Sequence, residues 1–224
     1  REPDKKVVMV TSTISGEGKT FIAVNLALII ALTGKKVLLV GLDLRKPKLN
    51  SLLGSSSQGG LSTYLIGKDE FDKIIYQTKY ENLFIAPSGP IPPNPAELIG
   101  LKRMDEFIQR AKGQFDYIII DTPPVAIVTD TMIASRFSDA ILYITRFNYT
   151  NRDSVSIVES IKTKDEGKNI AIVVNDVINK RKYGYSYGYG FTYGSKYYYY
   201  RDSDYYSDNE RPLTFRDKVF RFFS

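Results

Sequence analysis

The sequence predicts an α/β fold in which a mostly parallel sheet carries helices on both faces and is followed by a flexible, tyrosine-rich C-terminal tail. Three observations lead there. Apolar runs rich in β-branched residues recur at residues 7–11, 37–42, 83–86, 117–120, 140–145 and 170–174. Segments of helical character at 21–32, 95–112, 129–137 and 152–162 alternate with them, the pattern of strands covered on both sides. After Asn179 the composition changes abruptly. Residues 183–206 hold 11 of the chain's 17 tyrosines, interleaved with Gly184, Gly188, Gly190 and Gly194 and without one aliphatic side chain, so this stretch has little from which to build a core.

A chain of 224 residues suffices for one such domain with a sizeable core and an appendage. The expected division is a domain over 1–179, the tyrosine-rich segment over 180–206 and an extension over 207–224. With no cysteine and no histidine, disulfides, thiolate zinc sites, cysteine nucleophiles and imidazole acid–base chemistry are excluded. Catalysis must run on Lys, Arg, carboxylates, hydroxyls and bound metal. The formal charge of +6 fits a solvated basic surface, a phosphate ligand or an anionic membrane face. The longest apolar run, 21–32, is interrupted by Asn25 and too short to span a bilayer, which takes about 20 residues. No signal peptide is visible, and the chain opens at Arg1 rather than at methionine, as a piece cut from something longer would.

The first strand runs into Thr13-Ile-Ser-Gly-Glu-Gly-Lys19-Thr20 and then an apolar helix. Strand, glycine-containing turn and helix start make a P-loop, and the fold is expected to be that of a P-loop NTPase. Backbone N–H groups from Ser15 through Gly16, Glu17, Gly18, Lys19, Thr20 and Phe21 would converge on phosphates, Lys19 would reach the β and γ oxygens, and the Thr20 hydroxyl would coordinate Mg²⁺. Gly16 and Gly18 let the backbone approach without a Cβ in the way. Thr13 replaces the usual first glycine. Lys19 is expected to be exposed on the loop.

Two later strands end in acids near the same edge of the sheet. Asp121 closes the apolar run Tyr117-Ile-Ile-Ile and is expected in the Mg²⁺ shell, directly or through water; a capping role is the alternative, disfavoured by Pro123 and Pro124 just after it. Asp43 leaves the second strand in Val37-Leu-Leu-Val-Gly-Leu-Asp43-Leu-Arg45-Lys-Pro47.

These pieces, with Pro90-Ile-Pro-Pro-Asn-Pro-Ala-Glu97-Leu98 between them, resemble the bacterial tyrosine kinases that govern export of capsule and other exopolysaccharides, over roughly residues 5–180. In that family the second strand carries a modified Walker motif, Asp-x-Asp-x-Arg, which here reads Gly41-Leu42-Asp43-Leu44-Arg45. The resemblance implies a catalytic set of Lys19, Asp43, Arg45 and Asp121, a metal shell of Thr20, Asp43 and Asp121, and ATP with Mg²⁺ as cofactors. It departs from the pattern at Gly41, where the family has its first aspartate. Asn175 looks like the asparagine that recognises adenine in this superfamily; a plain strand-end turn residue is the alternative. The related partition and division-site ATPases carry an extra lysine five residues before the P-loop lysine, and here that position is Ile14.

The tail then reads as a cluster of phosphoacceptors: Tyr183, Tyr185, Tyr187, Tyr189, Tyr193, Tyr197, Tyr198, Tyr199, Tyr200, Tyr205 and Tyr206. A nucleic-acid reading draws on Lys180, Arg181 and Lys182, but from Tyr183 to Tyr206 the charges are Lys196 and Arg201 against Asp202 and Asp204, which leaves no electrostatic track for a phosphate backbone. Glycine confers reach, and 24 extended residues span about 80 Å, enough to enter a neighbouring subunit. The resemblance implies that arrangement, a homo-oligomeric ring whose usual glutamate/arginine contact motif would lie upstream of Arg1. It also implies a place on the cytoplasmic side of the bacterial inner membrane, with polysaccharide export and polymerisation machinery and a tyrosine phosphatase as partners. Residues 207–224 form either a short helix with Phe215, Val219 and Phe222 on one side or a frayed terminus. Two rival functions stay open: a membrane-positioning ATPase switch and a non-catalytic nucleotide-bound scaffold.

Overall fold

The computed structural model describes residues 5–49, 59–125, 130–164 and 169–177. Seven strands form one sheet: β1 (Val7–Ser12), β2 (Val37–Gly41), β3 (Tyr76–Gln77), β4 (Leu83–Ala86), β5 (Tyr117–Asp121), β6 (Ala140–Arg146) and β7 (Asn169–Asn175), in the order β3-β4-β2-β5-β1-β6-β7. Every pairing is parallel except the short β3 against β4. The helices are α1 (Lys19–Leu32), α2 (Leu61–Leu65), α3 (Pro95–Gly100), α4 (Lys102–Gln114), α5 (Asp130–Ser135) and α6 (Ser156–Lys164).

Each of the six expected strands is present: the inner strands, largely buried, show themselves as apolar runs, and the edge strand β7 carries such a run too although none of its residues is buried. Along β5, Ile118 and Ile120 join a core with Leu61, Phe71, Met104 and Phe107, while Ile119 is buried outside that cluster. α1 packs on β1, β2 and β5. An aromatic group anchors the first of these layers, Phe71 and Phe107 having ring centroids 5.2 Å apart and Tyr64 lying 5.6 Å from Phe107.

The structure corrects the helices in two places. The expected helix 95–112 is broken at Leu101, whose backbone is extended (φ −67°, ψ 150°), so that α3 ends and α4 begins around one residue; Gly100 just before it contributes nothing to hold a helix together. The expected helix 152–162 starts as a 3₁₀ turn, Arg152–Val155, before α6. The elements that periodicity missed, α2, a 3₁₀ turn at Phe71–Ile74 and β3, are too short for a repeat to register. Among the described residues no helix is long and apolar enough to cross a membrane. The tyrosine cluster and the C-terminal extension lie outside the described residues.

Candidate nucleotide and phosphoryl-transfer site

β1 sits centrally, with β5 on one side and β6 on the other, and the P-loop leaves its C-terminal end. That is the edge at which open α/β sheets bind ligands. The turn holds its shape through its own carboxylate: Glu17 Oε2 accepts the Ile14 N–H at 2.7 Å, and Oε1 accepts the Thr150 hydroxyl. Gly16 and Gly18 adopt φ of +94° and +93°, the left-handed region that favours glycine. Gly18 is the N-cap of α1 and supplies no side chain to the first turn, so the N–H groups there remain for an anion.

Lys19 opens α1 and is buried, at 4% exposure, not exposed as expected; its ammonium lies 4.0 Å from Asp43 Oδ2. Asp43 just beyond β2 is fixed by the turn it starts, with Oδ1 accepting the N–H groups of Lys46 at 2.9 Å and Arg45 at 3.3 Å. Asp121 stands at the end of β5, in register with Val10 of β1 and Gly41 of β2. The sheet therefore brings Lys19, Thr20, Asp43 and Asp121 to one place, as their positions at strand and helix ends require.

Two buried oxygens there have no hydrogen-bond partner: Thr20 Oγ1 and Asp121 Oδ1. Orphaned buried oxygens cost stability unless something outside the chain satisfies them, and a hydroxyl with a carboxylate is the hard-oxygen set that a small divalent cation takes alongside waters and phosphates. Burial pushes the Asp121 carboxyl up to about 6, against the pull of Lys19 and of the nearby Thr20 hydroxyl, which favour the charged form without making a hydrogen bond of ordinary geometry. Among the described residues no group of three His, Cys, Asp or Glu side chains could hold a metal by itself.

Arg45 does not face the site alone. Its Nε and Nη2 donate to Asp130 at the start of α5 at 2.8 and 3.1 Å, a bidentate pair that ties the Asp43 turn to the segment following β5. The pocket beside Lys19 is lined by Ser15, Asp43, Arg45, Lys46, Lys48, Pro123 and Pro124. Lys46 and Lys48 were not singled out from sequence, although the run Arg45-Lys-Pro-Lys48 directly after Asp43 carries the signal. Burial and then repulsion from Lys19 push the half-buried Lys48 ammonium down. Asn175, the last residue of β7, donates its amide N–H to the Glu17 carbonyl at 3.0 Å. Phe21 is on the first turn of α1, and Ile14 is partly exposed.

Gly41, where the chain departs from the motif it resembles, stands in a crowded place. Ser88 Oγ donates to the Gly41 carbonyl at 2.8 Å, and a Cβ at Gly41 would lie 2.8 Å from that oxygen and 3.1 Å from the Ser88 backbone nitrogen.

The sequence pattern of the AAA domain family matches residues 5–174. The tyrosine-protein kinase YwqD of Bacillus subtilis is 34% identical over 182 residues, covering 80% of this chain and 77% of that protein. The tyrosine-protein kinase etk of Escherichia coli is 34% identical over 187 residues, or 83% of this chain, which spans only 26% of that relative's length. The solved kinase domain of Etk superposes with a TM-score of 0.76 at 34% identity, covering 85% of this chain and 75% of that one. The septum site-determining protein MinD of Pyrococcus horikoshii, complexed with Mg-ADP, gives a TM-score of 0.65 at 25% identity over 75% of this chain and 69% of its own. A P-loop at the switch point of a parallel sheet is a nucleotide site, and with these likenesses the chain belongs to the AAA domain family and, within it, to the bacterial tyrosine-protein kinases.

Proposed function

We propose that this chain is the catalytic domain of an ATP-dependent tyrosine autokinase that phosphorylates the tyrosines of its own 183–206 segment, between subunits. The observation that carries this reading is the convergence of buried Lys19 and Asp43, 4.0 Å apart, with the unpartnered oxygens of Thr20 and Asp121 at the mouth of a P-loop. The relatives named as tyrosine-protein kinases support the acceptor class, and the Mg-ADP of the MinD complex supports MgATP as the donor. The division into 1–179, 180–206 and 207–224 follows from the same reading.

Residues 15–21 bind the phosphates through backbone N–H groups, and Asn175 offers its amide oxygen to the adenine. Lys19 neutralises charge on the transferring phosphoryl group, where most of the rate enhancement of a loose transition state arises. Thr20 and Asp121, with Asp43, would hold Mg²⁺, which when bound neutralises the phosphate oxygens. The phenolic oxygen of the acceptor bonds to the γ-phosphorus, the bond from that phosphorus to the leaving ADP oxygen breaks, and the phenolic proton passes to Asp43. Arg45, held by Asp130, keeps Asp43 in place. Ring assembly, contact with polysaccharide export machinery, reversal by a tyrosine phosphatase and a position at the cytoplasmic face of the bacterial inner membrane complete the proposal.

Intact mass after incubation with MgATP tests it. A ladder of added phosphates on the 183–206 segment is the expected result. ADP release without a change of mass would favour the second reading, an ATPase switch, which the likeness to MinD supports and which Ile14, in place of the lysine of that class, disfavours.

A further inference from the structure

Three successive carbonyls of the P-loop each accept a hydrogen bond from a side chain outside it. Tyr149 Oη donates to Ser15 O at 3.1 Å, Arg146 Nη1 to Gly16 O at 3.3 Å, and Asn175 Nδ2 to Glu17 O at 3.0 Å. The donors share one source. Arg146 ends β6, Asn175 ends β7 and is its register partner, and Tyr149 lies in the turn that follows β6. The donors are themselves held: Arg146 Nε and Nη2 bind Asp176 at 2.9 and 2.8 Å, and its guanidinium sits 5.1 Å from the centre of the Tyr149 ring. Tyr149 N–H returns to Arg146 O at 3.1 Å.

In a trans peptide unit the C=O and the next residue's N–H point in opposite directions. Holding the carbonyls of Ser15, Gly16 and Glu17 toward β6 and β7 therefore turns the N–H groups of Gly16, Glu17 and Gly18 the other way, together, which is the arrangement that receives an anion. Without the donors, the Glu17 carboxylate still ties the turn to Ile14 and Thr150, but the peptide units beside Gly16 and Gly18 lose the bonds on their own carbonyls, and each rotation of one would aim a carbonyl oxygen at a phosphate in place of an N–H. The two glycines also make room for the donors: a Cβ at Gly16 would lie 2.8 Å from Tyr149 Oη, and one at Gly18 would lie 2.2 Å from Asn175 Nδ2.

We infer that Tyr149 and Arg146, together with Asn175, are positioning residues that lock the peptide units of the P-loop in their phosphate-accepting orientation. The inference rests on the reading of this loop as the phosphate site. It assigns a role to side chains about 130 positions away in sequence, and to Tyr149 in particular, whose ring is half exposed and whose hydroxyl has no need of a partner inside the protein.

The test is binding of ADP and AMP, each with Mg²⁺, to the whole chain and to Tyr149→Phe and Arg146→Gln. Tyr149→Phe keeps the ring and removes one neutral donor, so ADP affinity should fall about two- to tenfold. The melting temperature without nucleotide should stay near that of wild type. The ratio of ADP to AMP affinity should fall in both variants, because the lock acts on the phosphates and not on the base. An unchanged ratio in both variants overturns the lock, as does a lower melting temperature with an unchanged ratio. A wild-type chain that fails to bind ADP overturns the phosphate-site reading and the lock with it.

Discussion

Ser88 donates its hydroxyl proton to the carbonyl of Gly41 at 2.8 Å, from the very space that a side chain at Gly41 would occupy. Gly41→Asp, which completes the Asp-x-Asp-x-Arg pattern that residues 41–45 resemble, is therefore expected to harm the fold. Sequence alone suggests a rate change of no more than about tenfold; the structure predicts instead a loss of about 2–4 kcal/mol, from crowding and from a carboxylate forced into a buried position. Urea denaturation of Gly41→Asp and of Gly41→Asp with Ser88→Gly checks this. The double variant should recover part of the loss, and equal stability of wild type and Gly41→Asp would mean that the Ser88 contact is not there.

On the proposed mechanism Lys19→Met should abolish tyrosine phosphorylation, with a loss of at least about a hundredfold, since the charge proposed to meet the transferring phosphoryl group is gone. Lys19 is buried beside Asp43, so some stability goes as well, but Met retains the stem, and the melting temperature should stay within about 4 °C of wild type. Phosphotyrosine immunoblotting with a parallel thermal melt separates the two effects. Full phosphorylation in a folded Lys19→Met chain would remove the P-loop from the mechanism.

Asp121 makes stability depend on pH in an unusual direction. Its carboxyl is raised from 3.8 to about 6 in the folded chain, chiefly by burial, so the folded state binds a proton more tightly than the unfolded state. Stability from this group is highest below about pH 4 and falls as pH rises through about 6, by about 3 kcal/mol in all. Asp121→Asn lacks the titration. In denaturant titrations without nucleotide, the stability of Asp121→Asn relative to wild type should increase between pH 4 and pH 7, and a constant difference would show that Asp121 is not perturbed.

The Arg45–Asp130 pair should respond asymmetrically. The Asp130 side chain is 1% exposed and that of Arg45 43% exposed. Arg45→Ala strands a buried carboxylate and should cost about 2–4 kcal/mol, whereas after Asp130→Asn the guanidinium can turn to water and the loss should be about 1–2 kcal/mol. Equilibrium unfolding of the two variants gives the ranking, and the reverse order would refute the assignment of burial.

Local pattern and motif chemistry determined a good deal of this protein. A strand of a parallel sheet is an apolar run, so β1, β2, β4, β5, β6 and β7 could each be read to within one residue at either end, β7 among them although none of its residues is buried. Gly18, Lys19 and Thr20 are neighbours, and their chemistry is written in their adjacency; Asp121 and Asn175 announced themselves by closing apolar runs. Tertiary structure decided what lies between distant segments. Gly100 weakens the helix before Leu101 but does not by itself end it, and α2 and β3 are short elements that pack into the core beside Tyr64 and onto the edge of β4. The burial of Lys19, the contact of Ser88 with Gly41 across 47 positions, and the pairing of Arg45 with Asp130 across 85 depend on which strand lies beside which. So do the three donors on the P-loop, which are adjacent because β6 and β7 follow β1 in the sheet. Periodicity reports the environment of each strand but not the order of strands, and it is the order that brings side chains from far along the chain to the edge where the loop waits.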